Sequence, residues 1–305
     1  MRINSIQQDV RRTGMALGSK LAKAKKKIPK KKSGRTNKQG TLIIVGGRED
    51  KAGHMVILNE IAKRTGDGKM VIATLASQVS AEVWDEYRKI FKKMGVKNIV
   101  HFYIDQPEQA RDPKYLDVFN NAKTVYFTGG DQLKITTKIG GTPILEKILE
   151  IYNNNGVIAG TSAGAAAMGT TMLVGSEQSD NHKVGNWMMA PGLGLVEDIL
   201  IDQHFAQRGR IGRLLGAVAL NPGVLGIGID EDTAIIVKEE SFDVIGSNAV
   251  YVVDGHYVTH TNISEASAEK TMSMHDVRLH ILAEGEGFQF TTRKAITGVN
   301  PKAKV

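Results

Sequence analysis

The stretch GVIAGTSAGAAAMG, Gly156–Gly169, decides the fold of this chain. Val157, Ile158 and Ala159 form a short apolar run of the kind a buried parallel strand shows. The alanine-rich segment that follows is a good helix start. Between the two lies Gly160-Thr161-Ser162-Ala163-Gly164, a Gly-x-Ser-x-Gly pattern. A strand that turns sharply into a helix through such a serine is a nucleophile elbow. Its glycines let the backbone take a strained turn and leave room for a substrate beside the hydroxyl. The helix N-terminus behind the serine offers N–H groups and a positive dipole end to a developing oxyanion. The pattern is weak on its own, because small residues pack strands against helices in many α/β folds. The rest of the chain must supply a base.

Upstream the same rhythm of strand, loop and helix recurs. Residues 41–45 read as a buried strand closed by Gly46-Gly47, followed by the polar loop Arg48-Glu49-Asp50-Lys51 and a helix over 54–64. Asp50 and Lys51 are expected to form a structural ion pair beside the cleft. Further strands are predicted over 69–74, 98–103 and 122–127, the last ending in Thr128-Gly129-Gly130-Asp131-Gln132. Helices are predicted over 79–94 and 143–153, the second opening on Pro143, a residue suited to a first helical position. Strands alternating with helices at this spacing define an α/β protein with a doubly wound, mostly parallel sheet, whose functional groups gather beyond the carboxyl ends of the strands.

Downstream of the elbow the pattern changes. Short strands are expected over 172–174 and 187–189, and another over 198–201 that runs into Asp202-Gln203-His204-Phe205. Arg208, Arg210 and Arg213 punctuate the start of a helix reaching about Val218. An apolar strand over 225–229 ends in Asp230-Glu231-Asp232. Residues 233–238, 242–246, 249–253 and 256–259 read as an antiparallel meander with Asp254-Gly255 as a hairpin turn, closed by 280–282 and 288–290. The fold therefore carries a C-terminal antiparallel β extension.

Composition bounds the function. The 305 residues are 41% hydrophobic and 24% charged, ordinary values for a globular chain. Without cysteine there is no disulfide, no thiolate metal site and no cysteine nucleophile. No apolar run reaches the ~18 residues of a membrane span, and the N-terminus lacks the apolar core of a secretory signal. These features predict a cytoplasmic protein with no membrane partner. The net charge of +8 is unevenly spread: residues 1–39 hold 13 Lys or Arg and one Asp, +12, which leaves −4 for the remainder. That basic stretch is expected to be a solvated, disordered tail. Its sharper reading is a polyanion or membrane-surface contact, but no nucleic-acid partner is assigned. Residues 40–292 are expected to form a single catalytic domain, and 293–305 a frayed tail.

Ser162, His204 and the acidic run around Glu231 each follow an apolar strand, which is the placement a triad needs. A hydroxyl attacks, an imidazole takes its proton, and a carboxylate orients the imidazole. Asp202, Gln203 and three arginines within a dozen residues of one another form a polar cluster that a core would not accept without purpose. The chain order, serine then histidine then acid, differs from the order of α/β-hydrolases and disfavours that fold. No metal site or cofactor is suggested, since the histidines show no ligand spacing such as His-Glu-x-x-His.

Taken together, Gly46-Gly47-Arg48-Glu49-Asp50-Lys51, Thr128-Gly129-Gly130-Asp131-Gln132, Gly160–Ala165, Asp202-Gln203-His204-Phe205 with its three arginines, and Gly228-Ile229-Asp230-Glu231 resemble the cyanophycinases. These are serine-type exopeptidases related to aspartyl dipeptidase (peptidase E) and, more distantly, to class I glutamine amidotransferases with a flavodoxin-like core. The resemblance covers roughly residues 40–292. It implies hydrolysis of cyanophycin, a poly-aspartate backbone with arginine joined to each β-carboxylate, to β-Asp-Arg dipeptides, by a homodimeric enzyme. Carried over by position, Ser162 is the nucleophile, His204 the general base and then acid, and Glu231, rather than its neighbours Asp230 and Asp232, the residue that orients His204. The backbone N–H of Ala163 and one from Gly130 or Asp131 would form the oxyanion hole. Gln132, Asp202, Gln203, Arg208, Arg210 and Arg213 would bind substrate, the arginines taking its carboxylates and Asp202 or Gln132 meeting its guanidinium or backbone. The alternatives are an aspartyl or isoaspartyl dipeptidase of the peptidase E type, and a noncatalytic binding protein on the same fold.

Overall fold

Apolar runs without polar interruption make strands that are buried on both faces. Five strands form the parallel part of the central sheet, β1 (Thr41–Val45), β2 (Lys69–Ala73), β3 (Asn98–Phe102), β4 (Ala122–Phe127) and β5 (Val157–Thr161), in the order β3-β2-β4-β5-β1; β1 and β5 are buried throughout and the edge strand β3 only in part. A computed structural model describes residues 39–174, 187–267 and 270–298. Of the expected basic tail over 1–39, residues 1–38 lie outside the described residues, as does the end of the chain, 299–305.

Alternate side chains of these strands enter two separate cores. Ile43, Val45, Met70, Ile72, Tyr126 and Ala159 pack on one face with Ile57, Leu58 and Ile61 of α1 (Val56–Thr65) and Tyr87 and Phe91 of α2 (Ser80–Lys93). Leu42, Ile44, Val71, Val125, Phe127 and Ile158 pack on the other, against Ile135 and Ile139 of α3 (Gln132–Ile139) and Ile144, Ile148 and Ile151 of α4 (Pro143–Asn153). Each fully buried aliphatic or aromatic side chain contributes about 1.5–3 kcal/mol, so the two-sided core is what holds the sheet between its helix layers. Helix α3 is absent from the sequence reading. Its polar stretch with two threonines buries only Ile135 and Ile139, and its start is set by Asp131, whose carboxylate accepts the Leu133 N–H at 2.9 Å.

Downstream follow α5 (Ala163–Ala166), β6 (Thr171–Val174), β7 (Met188–Pro191), β8 (Ile199–Gln203), α6 (Ile211–Leu220), β9 (Leu225–Ile229), β10 (Thr233–Lys238), β11 (Ser241–Gly246), β12 (Val250–Asp254), β13 (His260–Thr261), β14 (Met274–His275), β15 (Arg278–Leu282), β16 (Gly287–Gln289) and β17 (Lys294–Ile296). Strands β10, β11, β16 and β17 extend the central sheet antiparallel beyond β1. Strands β8, β9, β12 and β15 form a second sheet, in which β8 and β9 are parallel.

The expected meander is therefore divided between two sheets. Strands β10 and β11 are a hairpin, but β12 leaves to pair with β9 and β15. Asp254-Gly255 does not turn a hairpin, and residues 256–259 form no strand. Asp254 is wholly buried, and its Oδ1 accepts the His256 N–H at 2.9 Å and Arg293 Nη1 at 2.5 Å. A buried carboxylate that closes its own local turn and takes a guanidinium leaves no hydrogen-bonded return. The same Arg293 pair and the edge strand β17 give order to residues 293–296, which the sequence reading assigned to a frayed end.

Candidate active site

Ser162 links β5 to a helix of a single turn, and the backbone strain falls on the serine itself, at φ 53° and ψ −112°. Such a conformation costs about 1–3 kcal/mol for a non-glycine residue. The flanking glycines serve packing rather than substrate room. A Cβ on Gly160 would lie 2.7 Å from the Gly164 carbonyl, and one on Gly164 would lie 2.5 Å from the Phe127 oxygen. Four residues also make too short a helix for the expected dipole, so electrostatic help at this point comes from single N–H groups.

What brings the site together is the end of β1. Three successive carbonyls there, those of Val45, Gly46 and Gly47, accept the N–H groups of Ser162 (3.1 Å), His204 (2.8 Å) and Asp232 (2.9 Å). The end of β5 in the first sheet, at Ser162, and the ends of β8 and β9 in the second are thus hung side by side on one short loop. His204 takes a left-handed backbone at φ 47°, which swings its ring back over Gly47. The ring lies so close that a Cβ on Gly47 would sit 2.4 Å from His204 Cε1.

In this arrangement Ser162 Oγ lies 2.9 Å from His204 Nε2, and His204 Nδ1 lies 2.8 Å from Glu231 Oε1. Both ring nitrogens are engaged, as a relay from hydroxyl to carboxylate requires. Glu231 is fixed in turn by Arg48 Nη1, 3.5 Å from its Oε2, and by its backbone N–H to Gln207. Asp230 points elsewhere and accepts the N–H groups of Ala206 and Ala249, while Asp232 accepts Asp50 N–H and the Ser247 hydroxyl. Of the three acids, only Glu231 faces the imidazole.

Burial lowers the His204 pKa below the ordinary histidine value. The Glu231 hydrogen bond opposes this, and Arg208 and Arg210 add to it. A base must be neutral to accept the serine proton. We therefore expect the acid limb of kcat/KM to lie below the pH at which an ordinary histidine titrates, with activity rising as pH climbs through it. A limb at or above that pH in a kcat/KM profile would contradict this assignment of the base.

The cleft in front of Ser162 is lined by Gly130, Asp131, Gln132, Leu133, Val174, Gln203, Arg208, Arg210 and Arg213. Asp202 is not among them. It is wholly buried behind the arginines, where it pairs with Arg210 Nη1 at 3.2 Å, Arg213 Nε at 2.6 Å and Arg213 Nη2. Its expected role toward substrate is replaced by a different one: a single carboxylate holds two guanidiniums at the cleft wall. Arg210 Nη1 also donates to the backbone oxygen and Oε1 of Gln203, each at 2.5 Å. Burial depresses the Arg210 pKa to about 10, against the pull of Asp202. Gln132 lines the cleft but spends its Nε2 on the Leu173 carbonyl at 2.8 Å. Arg208 is exposed at the rim.

For the oxyanion, Ala163 is the first residue of α5, ahead of any intrahelical N–H bond. The Asp131 N–H is occupied by the Ala76 carbonyl at 3.0 Å. Of the two expected partners for Ala163, this leaves Gly130, whose φ of 138° is a conformation that glycine allows. Asp50 and Lys51 do not pair with each other. Asp50 accepts the N–H groups of Ala52, Gly53 and Met55, which lower its pKa to about 2, and Lys51 reaches Glu86 at 3.0 Å. Among the described residues, no three His, Cys, Asp or Glu side chains converge on a point that would hold a metal ion.

In the sequence Glu49 is only one letter of the polar loop after Gly47. The residue is 3% exposed, and its carboxylate accepts three hydroxyls, from Tyr87 (2.5 Å) and Tyr126 (2.7 Å) on Oε1 and Thr161 (2.6 Å) on Oε2. A charged residue between arginine and aspartate carries no local sign of burial, so only the pairing of β1 with β5 exposes this role.

Fold and site together, with Ser162 on a strand-to-helix elbow within hydrogen-bond reach of His204, fit a serine-type hydrolase. Residues 42–245 match peptidase family S51, and the chain belongs to that family as a serine-type peptidase. It is 35% identical over 265 residues to a cyanophycinase of Geminocystis herdmanii, covering 86% of this chain and 97% of that one. It is also 35% identical over 263 residues to a cyanophycinase of Trichormus variabilis, covering 85% and 88%. Among solved structures, a peptidase from an acI-B1 actinobacterium matches with a TM-score of 0.61 at 21% identity, over 84% of this chain and 99% of that one. That likeness speaks for the fold. No helix among the described residues is long and apolar enough to cross a membrane.

Proposed function

We propose that this chain is a cyanophycinase, an exopeptidase that releases β-Asp-Arg dipeptides from cyanophycin through an acyl-enzyme on Ser162. The observation that carries the reading is the serine–histidine–glutamate relay opening directly onto a wall of three arginines. Guanidiniums in a fixed fork suit carboxylates, and a β-Asp-Arg unit presents carboxylates beside the bond to be cut. The strong likeness to cyanophycinases along nearly the whole domain supports the same substrate.

In this mechanism Ser162 Oγ attacks the scissile carbonyl carbon while His204 Nε2 takes the hydroxyl proton. Glu231 steadies the imidazolium, and the N–H groups of Ala163 and Gly130 receive the oxyanion. Collapse breaks the C–N bond, and His204 returns the proton to the leaving amine. A water deprotonated by His204 then hydrolyses the ester and frees Ser162. Arg208, Arg210 and Arg213 take substrate carboxylates, with Gln132 and Gln203 shaping the wall. The reading includes a homodimeric, cytoplasmic enzyme, which sedimentation of the purified chain and cell fractionation test.

The deciding experiment offers purified protein insoluble cyanophycin and, separately, Asp-Xaa dipeptides. Release of β-Asp-Arg from the polymer is expected. Cleavage of the dipeptides alone would move the chain to the aspartyl dipeptidases, and binding of the polymer without cleavage would make it a binding protein.

A further inference from the structure

Glu49 sits in the core that α1 and α2 share with the sheet, beside Tyr87 and Tyr126. Burying a carboxylate there carries a desolvation cost of several kcal/mol, and among the described residues no cation is paired with it. Hydroxyls alone compensate. Replacing a buried charge by a well-packed apolar side chain is often neutral or stabilising, so stability does not explain this residue. Its position does. One carboxylate oxygen holds Thr161, the residue joined directly to the strained Ser162. The Glu49 backbone belongs to the loop whose Val45, Gly46 and Gly47 carbonyls hold Ser162, His204 and Asp232. Both tyrosine pKa values are pushed well above the ordinary value by burial and by the Glu49 charge, so both stay neutral donors throughout the working range.

We infer that Glu49 is a positioning residue of the hydrolytic site, which fixes the nucleophile through the Thr161 hydroxyl. The inference rests on the triad reading above. An acceptor with two oxygens clamps β4, α2, β5 and the β1 loop at one point, and so keeps the 161–162 peptide from relaxing away from the geometry that aims Ser162 at His204. Misplacements of the order of an ångström cost about 100-fold in rate.

The test is Glu49→Gln, in which the amide keeps the size and can meet the hydroxyls as donor or acceptor. Active sites are counted by complete labelling of Ser162 with a fluorophosphonate. Turnover per labelled site is expected to fall about 10- to 100-fold, with KM within about twofold and the acid limb of the pH profile unmoved. Fewer labelled sites with wild-type turnover per site would show a merely structural role and overturn the inference. Thr161→Val carries the test should the glutamine variant not fold: the same loss per site is expected, and a full wild-type rate overturns the proposal. With both variants in hand, the double variant is expected to lose no more than either alone, and additive losses count against coupling through Thr161. A wild-type protein that hydrolyses but is not labelled at Ser162 would instead bring down the triad reading, and this inference with it.

Discussion

Ser162→Ala is expected to lose turnover by about 10⁴- to 10⁶-fold, the loss seen when a triad nucleophile is removed, while substrate binding is retained. The serine hydroxyl bonds His204 Nε2. Arg210 and Arg213 are held by Asp202 and Gln203, so the variant should still bind polymer fragments with nearly unchanged affinity. Stopped turnover with intact binding is the signature, measured by product release and by equilibrium binding on the same preparation. Substantial residual cleavage would sink the acyl-enzyme mechanism. Alanine does not relieve the backbone, since φ 53° is as foreign to it as to serine. Ser162→Gly should be equally inactive yet melt higher than Ser162→Ala, because glycine removes strain of about 1–3 kcal/mol and only part of that gain is lost to its freer unfolded chain.

Gly47→Ala is the second large effect. The new methyl would stand 2.4 Å from His204 Cε1 and 2.5 Å from Nε2, at a φ of 104° that alanine resists. The obstacle is the ring of a side chain, so the imidazole yields and the 2.9 Å bond to Ser162 is broken. A fall in kcat/KM of about 100-fold or more is expected, with the fold retained by circular dichroism. Gly46→Ala makes the contrast. There the methyl would meet the Asp230 carbonyl at 2.0 Å, so damage to folding itself is expected. A Gly47→Ala enzyme within about threefold of wild type would mean that His204 does not act from this position.

The parallel strands were legible because burial on both faces leaves continuous apolar runs, as in residues 41–45 and 157–159. The order of serine, histidine and acid at strand ends was legible for the same reason. Other features depended on pairings between distant segments. Nothing local tells that β12 abandons β11 for β9, or that β8 and β9 belong to a separate sheet. Asp202 looked like a substrate ligand because polarity near an active site reads the same whether it faces the cleft or lies behind it. Glu49 was hidden by its charge, and α3 by its threonines. Of three adjacent acids, the residue pattern left the choice open, and only the backbone turn after β9 turns Glu231 toward the ring.

The three carbonyls at the end of β1 carry a consequence for synthesis of the protein. They emerge early from the ribosome, yet each waits for a partner made much later, the last being Asp232. Until that residue is laid down and the second sheet docks, serine, imidazole and carboxylate have no common support. The three backbone contacts that bring Ser162, His204 and the residue after Glu231 together therefore form only once the chain has been made as far as Asp232.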